Sequence, residues 1–163
     1  MNQTRVMIVD DHPMVVEGVG MLLDTQDDLQ FVGEVSDPAE VVAGIEKMHP
    51  DVLLLDISLP GVLGLDLIEP ILMAAPEIGI VMHTMHNDRN YVQMAFQLGA
   101  LGYVLKGVNS SHLLNAIRAA KSGEFYLCQE IRGRVPRGFL QDLLPAANPD
   151  GTLLKENKSK LAN

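Results

Sequence analysis

The sequence predicts an α/β fold in which five parallel strands form a doubly wound sheet with helices on both faces. Short apolar runs alternate with helix-periodic segments from the start of the chain, which is the pattern of repeated βα units. The runs VMIV, VLLL and IVM are apolar without alternation, as is typical of strands that are covered on both faces. The predicted strands cover residues 5–10, 30–35, 51–56, 78–83 and 101–105.

A helix is predicted after each strand. Two of the helices begin at a proline, which suits the first helical turn because that turn leaves its N–H groups unbonded. Two others end before a glycine, the residue that most often follows a helix. The five predicted helices begin at Pro13 and Pro38, cover about residues 65–75 and 88–98, and begin at Ser110 or Ser111.

The periodic pattern ends after Gly123. Segment 132–151 is rich in glycine and proline, and the final KENKSKLAN is polar, so this part of the chain has the composition of a linker. We therefore assign residues 1–122 to one domain and residues 123–163 to a linker-like tail that carries no effector domain.

Charge and composition narrow the class of protein. The 163-residue chain has a net charge of −9, and residues 1–122 hold 16 acidic and 6 basic side chains. Such an acidic body is unsuited to contacting nucleic acid and better suited to a divalent cation or a basic partner. A single cysteine, Cys128, and the lack of a signal-peptide pattern or a membrane-length apolar run predict a cytoplasmic protein.

Chemically active side chains follow the predicted strands at one end. Asp10 and Asp11 follow the first strand, Asp56 the third, Thr84 the fourth and Lys106 the fifth. Because ligands of open α/β sheets bind beyond the carboxyl ends of the strands, we expect these side chains to share one site.

The residue types at this edge indicate phosphoryl transfer onto a side chain. Clustered carboxylates repel one another unless a cation lies among them, and oxygen ligands in a shallow site suit Mg²⁺. A carboxylate can attack phosphorus to form an aspartyl phosphate. A divalent ion and a lysine would then neutralise the phosphoryl oxygens.

Together with the segment DISLPG that contains Asp56, these residues resemble the receiver domain of two-component response regulators over about residues 4–122. Four further segments are similar to the LuxR/NarL (NarL/FixJ) type of this family. These segments are IVDDHPMVVEGVGMLL, DISLPGVLGLDLI, GALGYVLK and SSHLLNAIRAAKSGEFYL. The resemblance implies a flavodoxin-like sheet with strand order 2-1-3-4-5.

The resemblance implies a regulatory phosphoacceptor whose only enzymatic activity is its own dephosphorylation. Asp56 would accept a phosphoryl group from a sensor histidine kinase, and Lys106 would pair with the acidic site and then with the phosphate. The implied Mg²⁺ ligands are Asp10, Asp11, Asp56 and the backbone carbonyl of Ser58.

The resemblance also implies how the signal leaves the site. Thr84 and Tyr103 would form a switch pair, while Ser58 and His86, each two residues after a site residue, would tune the phosphate lifetime. A homodimer would form through the fourth helix, fifth strand and fifth helix, or through helices 1 and 5. DNA would be bound by a helix-turn-helix domain absent from this chain, which we interpret as a piece of a longer transcription regulator or as a natural single-domain regulator.

Other interpretations are weaker. A flavodoxin-like flavin binder would need aromatic side chains over the flavin, whereas aromatic residues make up 4% of the chain and tryptophan is absent. A phosphate-independent receiver would lack a site residue, and none is missing. His83 and His86 lack the third histidine or cysteine of a zinc site, and His12 is expected to be a cap or surface residue.

Overall fold

The computed structural model describes residues 2–133 and the strand Thr152–Leu153. All five predicted strands are present, and a short antiparallel hairpin follows the third. Numbered in chain order, the strands up to residue 105 are β1 (Thr4–Val9), β2 (Leu29–Val35), β3 (Val52–Leu55), the hairpin β4 (Ser58–Leu59) and β5 (Val62–Leu63), β6 (Gly79–Thr84) and β7 (Gly102–Leu105).

The main sheet has the order β2-β1-β3-β6-β7, and all of these neighbours are parallel. This is the predicted order of the five strands, and the doubly wound α/β class is confirmed.

The sheet is wider than the five strands predicted. β8 (Phe125–Leu127) pairs in parallel with β7, and β9 (Thr152–Leu153) pairs antiparallel with β8. β8 lies in the segment that the sequence assigned to the linker-like tail, because three residues are too few to show a strand period. The sheet therefore continues past residue 122, although the assignment of residues 1–122 and 123–163 to a domain and a tail stays a prediction.

The helices cover both faces of the sheet. They are α1 (Pro13–Asp24), α2 (Val41–Met48), α3 (Ile68–Ala74), α4 (Arg89–Leu98), α5 (Ser110–Lys121) and α6 (Gln129–Arg132), with 3-10 turns at Pro38–Glu40 and Gly64–Leu67. α2 contacts α3 and α3 contacts α4, while α5 packs against β6, β7 and β8 and lines a cavity together with α1. In the described part of the chain no helix is long and apolar enough to cross a membrane.

The core is formed by the central strands. Every residue of β3 and β6 is buried, in keeping with the unbroken apolar runs in the sequence. Burying both faces of these strands fixes their register, because a shift by one residue would misplace each side chain against the helices. The rigid sheet thereby holds the residues at its carboxyl edge in fixed positions.

Candidate functional site

Four strand ends meet at one edge of the sheet. Asp10 follows β1, Asp56 follows β3, Thr84 is the last residue of β6, and Lys106 follows β7. The ladder continues between these residues, since the Asp56 N–H donates to the Val9 carbonyl at 3.1 Å and the Lys106 N–H donates to the Thr84 carbonyl at 2.8 Å. The residues that the sequence predicted to share a site therefore do lie together.

Lys106 neutralises two buried carboxylates. Its side chain is 8% exposed, and its Nζ lies 2.7 Å from Asp10 Oδ2 and 2.8 Å from Asp56 Oδ2. Burial lowers the pKa of Lys106, but the hydrogen bonds to Asp10 and Asp56 outweigh it and raise the pKa above the usual value. Burial raises the pKa of Asp10, and the hydrogen bonds from Lys106 and His12 outweigh that effect, so the pKa is lowered. These shifts favour the charged forms of Lys106 and Asp10.

The acidic cluster has more negative charge than Lys106 balances. Asp10, Asp11, Asp56 and His12 each offer one ligand atom, and these four atoms lie within 4.8 Å of one another. Asp11 Oδ1 is buried without a hydrogen-bond partner. A buried oxygen without a hydrogen-bond partner destabilises the folded state unless a ligand binds it. Carboxylate oxygens are ligands for Mg²⁺. The donor set therefore fits a divalent cation.

His12 is a member of this cluster that the sequence analysis missed. It is the N-cap residue of α1, as expected, but its Nδ1 lies 2.9 Å from Asp10 Oδ1, 3.3 Å from Asp11 Oδ1 and 3.8 Å from Asp56 Oδ2. Its position directly after the two aspartates and before Pro13 was the available signal. The spacing alone could not show that the ring turns toward the carboxylates.

Ser58 and His86 meet beside the Asp56 carboxylate. The Ser58 N–H donates to Asp56 Oδ1 at 3.3 Å, and Ser58 Oγ hydrogen-bonds His86 Nε2 at 2.6 Å. The hairpin β4–β5 that carries Ser58 closes on the site through Gly64, whose N–H donates to the Ile57 carbonyl at 2.7 Å. The two residues that the resemblance singled out are therefore direct neighbours.

Thr84 and Tyr103 both bond to the backbone of His86. The His86 N–H donates to Thr84 Oγ1 at 3.3 Å, and the Tyr103 hydroxyl donates to the His86 carbonyl at 2.7 Å. Both side chains are buried, and burial raises the pKa of Tyr103 well above its ordinary value, helped by the charges of Asp88 and Asp56. The His86 ring also packs edge-on against Tyr91 of α4, with 5.4 Å between ring centroids. His86 thus connects the site to α4.

His83 precedes Thr84 in β6 and is buried. It lines the cavity between α1 and α5, and burial, followed by the charge of Lys106, lowers its pKa to about 4. Among the residues that the structure describes, His83 and His86 join no group of three or more metal-ligating side chains.

Residues 6–118, more than half of the 163-residue chain, match the family described as the response regulator receiver domain, and the chain belongs to that family. The chain is 30% identical over 149 residues to the transcriptional regulatory protein DegU of Brevibacillus brevis, in an alignment that covers 91% of this chain and 61% of DegU. It spans 56% of the transcriptional regulatory protein YxjL of Bacillus subtilis, and thus less than two thirds of either relative.

Solved structures place the chain in the same class. A LuxR-family two-component response regulator from Aurantimonas sp. superposes with a TM-score of 0.76 and 30% identity, covering 82% of this chain and 95% of that one. The isolated REC domain of RcsB from Salmonella enterica serovar Typhimurium, solved in the presence of the phosphomimetic BeF3-, gives a TM-score of 0.76, 28% identity and coverage of 83% and 100%. RcsB in a complex with DNA gives a TM-score of 0.76 and 29% identity, covering 82% of this chain and 67% of that one. The LuxR/NarL-type resemblance and the receiver fold are confirmed.

Proposed function

We propose that Asp56 accepts a phosphoryl group from a sensor histidine kinase in a Mg²⁺-dependent reaction, and that this phosphorylation switches a surface of the domain. The observation that carries the proposal is the placement of Asp56. Its carboxylate is 3% exposed, bound to a buried ammonium 2.8 Å away, and adjacent to the unpartnered oxygen of Asp11. A buried carboxylate that lies between the Lys106 ammonium and a candidate cation site is suited to accept a phosphoryl group.

The phosphoryl transfer forms one bond to phosphorus and breaks another. An oxygen of the Asp56 carboxylate bonds to phosphorus while the bond from phosphorus to the kinase histidine nitrogen breaks, and the histidine keeps the electron pair. Lys106 already lies against this carboxylate and would follow the negative charge onto the phosphoryl oxygens. Attack of water on phosphorus would break the bond to the Asp56 oxygen, regenerate the carboxylate and release inorganic phosphate, which is the slow autophosphatase activity that we assign to the domain.

A divalent ion would be held by Asp10, Asp11, Asp56 and the backbone carbonyl of Ser58. When bound, Mg²⁺ would supply electrostatic stabilisation of the phosphoryl oxygens. Asp11 contributes the oxygen that lacks a hydrogen-bond partner, and Asp10 is already shared between Lys106 and His12. We therefore expect removal of the ion to leave the Asp11 oxygen without a hydrogen-bond partner, whereas Asp10 keeps its contacts with Lys106 and His12.

The signal would leave the site through Thr84 and Tyr103. A new phosphoryl oxygen would accept a hydrogen bond from the Thr84 hydroxyl and draw Oγ1 toward the phosphate, and with it the His86 N–H that donates to Oγ1 at 3.3 Å. Because Tyr103 bonds the carbonyl of the same residue, a shift of His86 would move both the tyrosine and α4. The surface of α4, β7 and α5, or that of α1 and α5, would then control a homodimer.

Contact with DNA belongs, in this proposal, to a helix-turn-helix output domain outside this sequence. Two observations support it: residues 1–122 carry 16 acidic against 6 basic side chains, and the chain covers 67% of RcsB in its DNA complex. The proposed setting is the cytoplasm. The alternative is a receiver that acts through protein contacts alone.

The test is the intact mass of the protein after incubation with acetyl phosphate and Mg²⁺. We expect one added phosphoryl group, absent in Asp56→Asn and absent in excess EDTA. An adduct that persists in Asp56→Asn would contradict Asp56 as the acceptor. No adduct in folded protein that also fails to bind beryllofluoride would favour the phosphate-independent alternative.

A further inference from the structure

We propose that His12 is a direct nitrogen ligand of the divalent ion, and that it shifts the metal preference of the site from Mg²⁺ toward transition-metal dications such as Mn²⁺. This inference rests on the proposed metal-dependent function and adds a fourth side chain to it. Mg²⁺ is bound almost entirely through oxygen, whereas an imidazole nitrogen is an ordinary ligand of first-row transition-metal dications.

The geometry of the imidazole supports the proposal. His12 Nδ1 lies 2.9 Å from Asp10 Oδ1, 3.3 Å from Asp11 Oδ1 and 3.8 Å from Asp56 Oδ2. The four ligand atoms lie within 4.8 Å of one another, which is little more than twice a metal–ligand bond of about 2.1 Å. A single ion among the carboxylates is therefore within reach of this nitrogen.

The backbone holds His12 at the mouth of the site. The His12 N–H donates to Asp10 Oδ1 at 2.9 Å, and the proline that follows limits the backbone conformations of His12. The imidazole itself is 57% exposed, so core packing does not fix it in another direction. The ring is thus free to adjust while its Cα stays next to the carboxylates.

Exchanging the hydrogen bond of the ring for a metal bond leaves no buried atom without a partner. Asp10 Oδ1 keeps its bond from the His12 N–H after the imidazole has turned to the ion. Asp11 Oδ1, which has no hydrogen-bond partner in the structure, gains a ligand. A bound ion would therefore satisfy the site better than the imidazole does.

The experiment is electron spin-echo envelope modulation of Mn²⁺ bound to the unphosphorylated protein, which detects a directly bound nitrogen without any phosphotransfer. We expect nitrogen modulation in the wild type and its loss in His12→Ala and His12→Gln. His49→Asn is the matched control, because His49 is exposed, lies outside the cluster and has a left-handed backbone that asparagine tolerates. This variant should keep the modulation.

Competition between Mn²⁺ and Mg²⁺ gives a second readout. Loss of one ligand should lower the preference for Mn²⁺ by about tenfold in His12→Ala. Mn²⁺ that binds without nitrogen modulation would contradict the role of His12 but not the metal site. An unchanged preference for Mn²⁺ over Mg²⁺ in His12→Ala would do the same. Mn²⁺ binding that is unaffected by Asp11→Asn would overturn the proposed metal site itself, and with it this inference.

Discussion

Lys106 Nζ lies 2.7 Å from Asp10 Oδ2 and 2.8 Å from Asp56 Oδ2, so one buried ammonium joins the ends of β1 and β3. A lysine in this position has two effects. It places a positive charge against both carboxylates, and it ties the end of β7 to the ends of β1 and β3. Removing this ammonium should therefore change both the stability of the protein and its response to added cations.

Replacing Lys106 with glutamine should lower the free energy of unfolding by about 3 kcal/mol, because it leaves two buried carboxylates without their cation. Mg²⁺ should restore more stability to Lys106→Gln than it adds to the wild type, since it replaces the missing positive charge. Urea denaturation with and without Mg²⁺ measures both effects.

Lys121→Gln is the matched control for that experiment. Lys121 pairs with Asp51 at 3.0 Å, but its side chain is 48% exposed, so its loss should cost less than about 1 kcal/mol. Equal losses in the two variants would mean that the bridge to Asp10 and Asp56 contributes no more than a surface ion pair.

Ser58 and His86 should control the lifetime of the aspartyl phosphate through their mutual hydrogen bond. The bond is 2.6 Å long, and Ser58 also donates its N–H to Asp56. Loss of a bond of about 1 kcal/mol should speed hydrolysis roughly threefold to tenfold in Ser58→Ala or His86→Ala, since water gains access. The double variant should be no faster than either single one. Rates that multiply would show that the two side chains act separately.

Gly64→Ala should destabilise the protein by about 3 kcal/mol, because an added Cβ would lie 1.9 Å from the carbonyl oxygen of Asp56 and the hairpin would have to move. Gly18→Ala is the matched control. Its Cβ meets nothing within 4 Å, and Gly18 lies within α1, so the same change should stabilise by roughly 0.5–1 kcal/mol. Unfolding curves that shift in the same direction for both variants would contradict the close approach at Asp56.

His83 should make the protein less stable as the pH falls. Its folded pKa is lowered to about 4, from an ordinary 6.5, so the unfolded chain binds the extra proton between these values. The contribution of a neutral His83 is present in full above pH 6.5 and is lost progressively toward pH 4. Between pH 7 and pH 5 the wild type should lose about 2 kcal/mol more than His83→Gln does. Parallel curves for the two proteins would show that His83 titrates normally.

Much of the fold follows from local sequence. β1, β3 and β6 are continuous apolar runs between turn residues, and such runs predict buried parallel strands. β8 was missed because Phe125–Leu127 is only three residues long and its place in the sheet depends on pairing with β7. The hairpin β4–β5 was also missed, although Pro60-Gly61 is a turn signal and Gly61 has a φ of +75°.

Some residues of the site were likewise predictable from the sequence and others were not. The carboxylates, Thr84 and Lys106 were predictable because a parallel sheet brings its strand ends to one edge. His12 was not, since its role depends on a side-chain torsion that periodicity does not report. Residue spacing and the family resemblance singled out Ser58 and His86, whereas their mutual hydrogen bond is visible only in the structure.

The most direct measurement is the location of the acyl phosphate. The protein would be treated with acetyl phosphate and Mg²⁺, reduced with borohydride, which converts an aspartyl phosphate to homoserine, and digested for peptide mass spectrometry. We predict homoserine at position 56, absent without the phosphodonor and absent when Mg²⁺ is chelated. Homoserine at position 10 or 11 with position 56 unchanged would contradict the assignment of Asp56 as the phosphoacceptor.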